Sequence, residues 1–190
     1  MKLVDKFTIL LVNITQKRYK ELIKTKKYRS LISQLSGDRQ KNKITWGQIN
    51  DIRKQYGMSE YLFYKDVQKL QQHFFNNVDA LTARSIASNL WRAYEELFYG
   101  NGEQVHYKKR GYFNSLEGQS NKQGIYFRGD AILWKGLRLP MVIDYNNYYE
   151  NQALKAEIVH CGIVRKFIRN KYKYYVQIVF KGTPPLKVDN

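Results

Sequence analysis

The chain has 190 residues, with 33 Lys or Arg against 16 Asp or Glu, a net charge of +17. Its 43% hydrophobic and 15% aromatic content suffices for a folded core and excludes a disordered basic tail. No apolar run approaches the roughly 20 residues of a membrane span, the apolar stretch 7–12 is too short for a signal peptide, and the single Cys161 excludes an intrachain disulfide. The expected setting is a reducing cytoplasm without membrane attachment, and the charge calls for a polyanionic partner.

Residues 6–25 carry Phe7, Leu10, Leu11, Ile14 and Leu22 near one face, which predicts a first helix. A short continuation over 28–35 is closed by Ser36-Gly37-Asp38, and a charged loop covers 38–43. A helix over 46–56 ends at Gly57. Ser59 caps a helix over 60–75, in which Phe63, Val67, Leu70 and Phe74 share a face. Asp79 caps another over 80–99, with Ile86, Leu90, Ala93, Tyr94 and Leu97 as its stripe and Gly100 as its stop.

Beyond Gly100 the pattern turns to β. Strands at 125–128 and 131–134 flank Gly129-Asp130, a pair suited to a primed turn. A third strand covers 137–144, with Pro140 marking an edge or bend. Residues 145–152 read as a tyrosine-rich loop. A long hairpin joins 156–168 to 172–181 around Arg169-Asn170-Lys171, with Val176, Ile178 and Phe180 alternating against Tyr175, Gln177, Val179 and Lys181. The predicted class is α+β: a helical half over 1–100 packed with a small antiparallel, β-barrel-like half over 101–190.

Two basic blocks lie in the β half. Residues 107–128 carry Lys108, Lys109, Arg110, Lys122 and Arg128 against Glu117 alone, and residues 155–187 carry eight cations against Glu157 alone. Cations interleaved with aromatics on a sheet suit nucleic acid, because charge neutralises phosphate and rings stack on bases. Lys108, Lys109 and Arg110 are candidates for phosphate contact, with a solvated loop as the alternative. Asn114, Ser115, Asn121 and Lys122 lie in a glycine-punctuated loop that serves either phosphate and base contact or ordinary turn chemistry. Arg165, Arg169, Lys171 and Lys173 flank the last hairpin. By parity Arg165 and Arg169 share a face, as do Tyr172 and Tyr174, with Tyr175 opposite. Trp46, Trp91 and Trp134 are assigned to packing. His160 and Cys161 are neighbours pointing to opposite faces, so no metal or other cofactor is expected.

The string Tyr107-Lys108-Lys109-Arg110-Gly111-Tyr112-Phe113-Asn114-Ser115-Leu116-Glu117-Gly118, continued by Ser120-Asn121-Lys122-Gln123-Gly124-Ile125, resembles the TnpB family. So do Trp134-Lys135-Gly136-Leu137-Arg138-Leu139-Pro140 and the hairpin from Ile163-Val164-Arg165-Lys166 to Tyr174-Tyr175-Val176-Gln177. These ordered strings, with a similar helical run from Tyr56 through Trp91 to Gly100, extend the likeness over about residues 16–188. TnpB proteins are transposon-encoded, RNA-guided DNA endonucleases related to type V CRISPR effectors. The resemblance implies a helical recognition domain and a β-barrel wedge domain that together grip guide RNA and duplex DNA. The family's nuclease is a RuvC domain with a metal-binding acidic triad and a zinc-ribbon insertion. This sequence holds no counterpart of either, and it opens into helix where the family has a wedge strand. The implied function is nucleic-acid binding without catalysis. The alternatives are nuclease activity when a separate RuvC-containing polypeptide complements the chain, or a decayed transposase frame. The implied setting is a bacterial cytoplasm, on the nucleoid where DNA is bound.

Overall fold

A computed structural model describes residues 2–36, 42–74, 78–100, 102, 104–105 and 113–183. Five helices precede the sheets: α1 (Lys2–Lys24), α2 (Lys26–Ser33), α3 (Lys43–Gln55), α4 (Glu60–His73) and α5 (Ala80–Phe98). On α1, Val4, Phe7, Leu11, Thr15 and Leu22 recur at helical spacing and are all buried. Thr25 takes an extended conformation and turns the chain into α2.

The caps that start α4 and α5 are those expected. Ser59 Oγ accepts from Leu62 N at 3.4 Å, and Asp79 Oδ1 accepts from Leu81 N at 3.1 Å and Thr82 N at 2.9 Å. Phe63 and Val67 of α4 are buried, with Leu70 and Phe74 packed at the core margin. On α5 the most buried line runs through Ala83, Ala87, Tyr94 and Phe98, with Ile86, Leu90 and Leu97 flanking it. Helix α4 packs along α5. Phe63 then meets Trp91 and Tyr94 edge-on, at centroid distances of 5.5 and 5.8 Å.

The β half forms two antiparallel sheets of three strands. The first has the order β1 (Ser115–Glu117), β5 (Ile158–Ile168), β6 (Lys171–Phe180). The second is a meander of β2 (Ile125–Arg128), β3 (Ala131–Trp134) and β4 (Leu137–Pro140). The class is α+β, and no closed barrel forms among the described residues.

Three expectations are corrected. Residues 145–152 are not all loop, since a short helix, α6 (Tyr148–Ala153), starts where Asn147 Oδ1 accepts from Tyr149 N at 3.0 Å. The strand expected over 137–144 ends at Pro140, because its partner β3 begins at Ala131; one further bond, from Met141 N to Asp130 O at 2.8 Å, closes the ladder at the Gly129-Asp130 turn. Ser115 is in strand β1 rather than a loop, held by pairing with Val164.

Two-residue turns set the registers. Lys135 and Gly136 join β3 to β4 with φ of 49° and 77°, and Arg169 and Asn170 join β5 to β6 with φ of 51° and 62°. Two consecutive left-handed residues define a type I′ turn, whose twist matches that of the strands.

One hydrophobic core runs through both halves. Leu116, Ile125, Ile132, Cys161 and Ile163 bury the facing surfaces of the sheets. A hydrogen bond ties the sheets to α5: Trp134 Nε1 donates to Asp79 Oδ2 at 2.9 Å. Gly124, at φ 79°, lies against Leu81, where an added Cβ would meet Leu81 Cδ1 at 3.1 Å.

Candidate nucleic-acid interface

The inner rungs of β5–β6 are core. Cys161 and Ile163 are buried, facing Ile178 and Val176. Beyond them the hairpin continues from Val164–Tyr175 to Ile168–Lys171, an arm of about 13 Å at strand rise. Arg165, Phe167, Tyr172 and Tyr174 share one face of it, and Lys166, Ile168, Lys171, Lys173 and Tyr175 share the other. The faces follow from the register, in which Arg165 pairs Tyr174, Lys166 pairs Lys173 and Phe167 pairs Tyr172.

The arm leaves its aromatic rings in water. Phe167 is 62% exposed, Tyr172 56% and Tyr174 62%, far more than packing alone would leave. The rings are nonetheless ordered against each other and against cations. Phe167 and Tyr172 have centroids 5.0 Å apart, the Arg165 guanidinium stands 4.6 Å from the Tyr172 centroid, and Lys166 Nζ lies 5.4 Å from that of Tyr175. Residues 158–183 include no Asp or Glu. Lys166 and Lys173 are directly opposite across the ladder. Like charges in that position repel, and a bound anion relieves the repulsion.

The structure gathers only part of the expected site. Arg165 and Asn114 come together: Asn114 O accepts from Arg165 N at 2.6 Å, and Asn114 Oδ1 accepts from Arg165 Nη2 at 3.1 Å. Asn114 therefore positions the guanidinium over the Tyr172 ring. Lys171 and Lys173 are exposed on the arm. Arg169 is at its tip, but the I′ turn takes it out of the strand, so it does not share the face of Arg165 as parity predicts. Ser115 sits at the arm's base opposite Val164.

Asn121 is turned inward. Its Oδ1 accepts from Phe127 N at 2.7 Å and lies 3.5 Å from Cys161 Sγ, so its carbonyl is spent on joining the two sheets. Lys122 is exposed beside it, and Asn121 N bonds Val159 O near the opposite end of β5 from the tip. Arg128 ends β2 at the Gly129-Asp130 turn, 5.8 Å from the Tyr126 ring centroid. Lys108, Lys109 and Arg110 lie outside the described residues.

Sequence reasoning missed Lys166 and Phe167 as arm residues. For Phe167 a signal was available, because it shares the parity of Arg165, whereas Lys166 is placed only by its pairing with Lys173. The remaining functional groups of the β half are structural in placement. His160 Nε2 and Glu117 Oε1 are 3.0 Å apart on the face opposite buried Cys161, as strand alternation requires. Burial pushes the Cys161 thiol up from its ordinary pKa, against an opposing backbone hydrogen bond at Phe127. At Asp79, burial acts to raise the carboxyl, but hydrogen bonds from Thr82, Trp134 and the backbone outweigh it and hold the pKa below the ordinary value.

No helix among the described residues is long and apolar enough to cross a membrane. Comparison with protein-family models, curated proteins and solved structures gave no match.

Proposed function

We propose that this chain is a nucleic-acid-binding module of the TnpB type, which grips RNA or DNA with the β5–β6 arm and does not itself cut it. The arm is the observation that carries the reading. It puts five cations (Arg165, Lys166, Arg169, Lys171 and Lys173) and four exposed rings, three of them on one face, on a short projecting ribbon. Cations on both faces track a phosphate backbone, and rings on one face offer stacking platforms to unpaired bases. A two-stranded ribbon also fits the width of a duplex major groove. The ordered strings resembling TnpB supply the class of partner, a guide RNA and the DNA beside its target. Such a module would act in the bacterial cytoplasm, on the nucleoid where DNA is bound.

The test is fluorescence anisotropy with structured RNA and duplex DNA over a salt series, with and without magnesium. Five phosphate contacts give a slope of about −3.5 to −4.5 in log K against log salt. The expected result is that slope, with the nucleic acid intact after magnesium is added. A well-folded sample that binds neither polymer, or binds independently of salt, overturns the proposal. Magnesium-dependent cleavage by the pure chain overturns the non-catalytic part alone.

A further inference from the structure

The arm is one end of a strand whose other end borders a large apolar groove. The two sheets meet where Gly118 packs on Ile125 O and Cys161 O. They part between β4 and β6, each the last strand of its sheet among the described residues. The gap is an open groove of about 900 Å³. Leu137 and Leu139 of β4 form one wall and Val176, Ile178 and Phe180 of β6 the other, with Leu154 after α6 beside them. Leu137 is 54% exposed and Val142, also on the lining, is fully exposed. An apolar surface of this extent marks an interaction site more often than chance exposure.

The backbone of β6 is equally unfilled. A two-residue turn makes Ile168–Lys171 a hydrogen-bonded pair, and the register runs without a shift from there to Cys161–Ile178. Antiparallel pairs alternate, so Tyr172, Tyr174, Val176 and Ile178 direct their N–H and C=O groups away from β5, toward the free edge. These are also the residues whose side chains lie on the groove face. On the other face of the same strand are Lys171 and Lys173. Among the described residues no carboxylate is within ion-pair distance of either.

We propose that the β6 edge and the β4–β6 groove accept an extended strand of another polypeptide, one that alternates apolar and acidic side chains. Backbone pairing along β6 supplies the register, alternate apolar side chains fill the groove, and the acidic ones lie beside Lys171 and Lys173. Charge complementarity selects this occupant over a second copy of the chain. A second copy offers no carboxylate along its β6 edge, since residues 158–183 contain none, and its own lysines share the sign of Lys171 and Lys173. The groove itself, between Leu137 and Leu139 of β4 and Val176, Ile178 and Phe180 of β6, lies beyond the arm, although Tyr174 belongs to both surfaces, and a polypeptide occupant goes beyond nucleic-acid binding.

The probe is a fluorescein-labelled, blocked ten-residue peptide alternating Val and Glu, titrated with the full chain by anisotropy. A scrambled peptide and a Val/Lys peptide serve as comparisons. Saturable binding is expected for the Val/Glu peptide, at least tenfold weaker for the other two. Amide hydrogen exchange supplies the register: the amides of Tyr174, Val176 and Ile178 become protected, and those of Tyr175 and Gln177, already bonded to β5, do not change. Lys171→Glu with Lys173→Glu, both at exposed positions, should invert the preference toward the Val/Lys peptide. Leu137→Glu with Leu139→Glu should abolish peptide binding while leaving RNA affinity within twofold. The inference fails if the scrambled peptide binds as well, if no peptide binds, or if an oligonucleotide alone protects the same three amides. It also fails if those amides are protected without peptide by concentration-dependent self-association.

Discussion

In the helical half, Arg53 is 3% exposed and enclosed by the rings of Tyr28, Trp46, Phe98 and Tyr99, with the guanidinium carbon 4.0 Å from the Phe98 centroid. In the arm, Arg165 also stacks on a ring, but that ring faces water. Arg53 Nη2 reaches Phe98 O at 3.4 Å, at the C-terminal end of α5, where a cation favours the helix dipole. Arg18 is used similarly, forked onto Asp66, with Nη2 to Oδ1 at 3.0 Å, and bonded to Gly57 O. One side-chain type thus does two jobs. The bundle surrounds Arg53 and Arg18 with protein acceptors or rings, and the arm holds its cations where an outside anion can reach them.

Four exposed cations of the arm offer the sharpest way to break this comparison. Changing Lys166, Arg169, Lys171 and Lys173 together to Gln should lower RNA or DNA affinity on the order of 10³-fold at 0.1 M salt and flatten the salt slope by about 3. Thermal unfolding should barely move, and a large drop in Tm would show that these side chains support the fold.

Arg53→Ala should do the reverse. It leaves a hole among four rings and removes the hydrogen bond to Phe98 O, for a loss of about 3 kcal/mol by denaturant titration. Arg53→Met, which keeps much of the volume, should recover a large part of it. Should Met be as costly as Ala, the charge and its hydrogen bonds outweigh the packing.

The link between the halves is weaker. Asp79→Ala removes the α5 cap and leaves the Trp134 indole N–H without its acceptor, at a cost of about 2 kcal/mol. Acid should reveal the same link on a smaller scale. Because Asp79 has a lowered pKa when folded, its contribution is fully present above the unfolded carboxyl value of about 3.9. It is lost as pH falls from there through the lower folded value. Asp79→Asn should flatten the stability profile over that acid interval, and an unchanged profile would place the acid sensitivity elsewhere.

The long elements were legible in the residues themselves. The α4 stripe through Phe63 and Val67, the Asp79 cap, the Gly129-Asp130 hairpin and the alternation of β6 all rest on local pattern, and the structure keeps each. Elements that depend on distant partners were not legible. β1 is three residues long, and only its pairing with residues 162–164 makes it a strand. Asn114 and Asn121 read as equivalent loop asparagines, yet one orients Arg165 and the other joins the sheets. That division depends on which strand lies beside each. Arg53 left a usable trace, because it sits at i+4 from Ile49 in an apolar stripe where a solvated cation would be out of place.

The Trp134–Asp79 bond gives the molecule an optical reporter of its own. The indole spans the junction between β3 and the first turn of α5, so its emission depends on whether the carboxylate is charged and in place. Trp46 and Trp91 sit among aromatic rings within the helical half. With both changed to Phe, the remaining fluorescence follows one event, the parting of sheet from bundle. Strain applied through the arm would then be visible in the light from a residue that lies outside the arm.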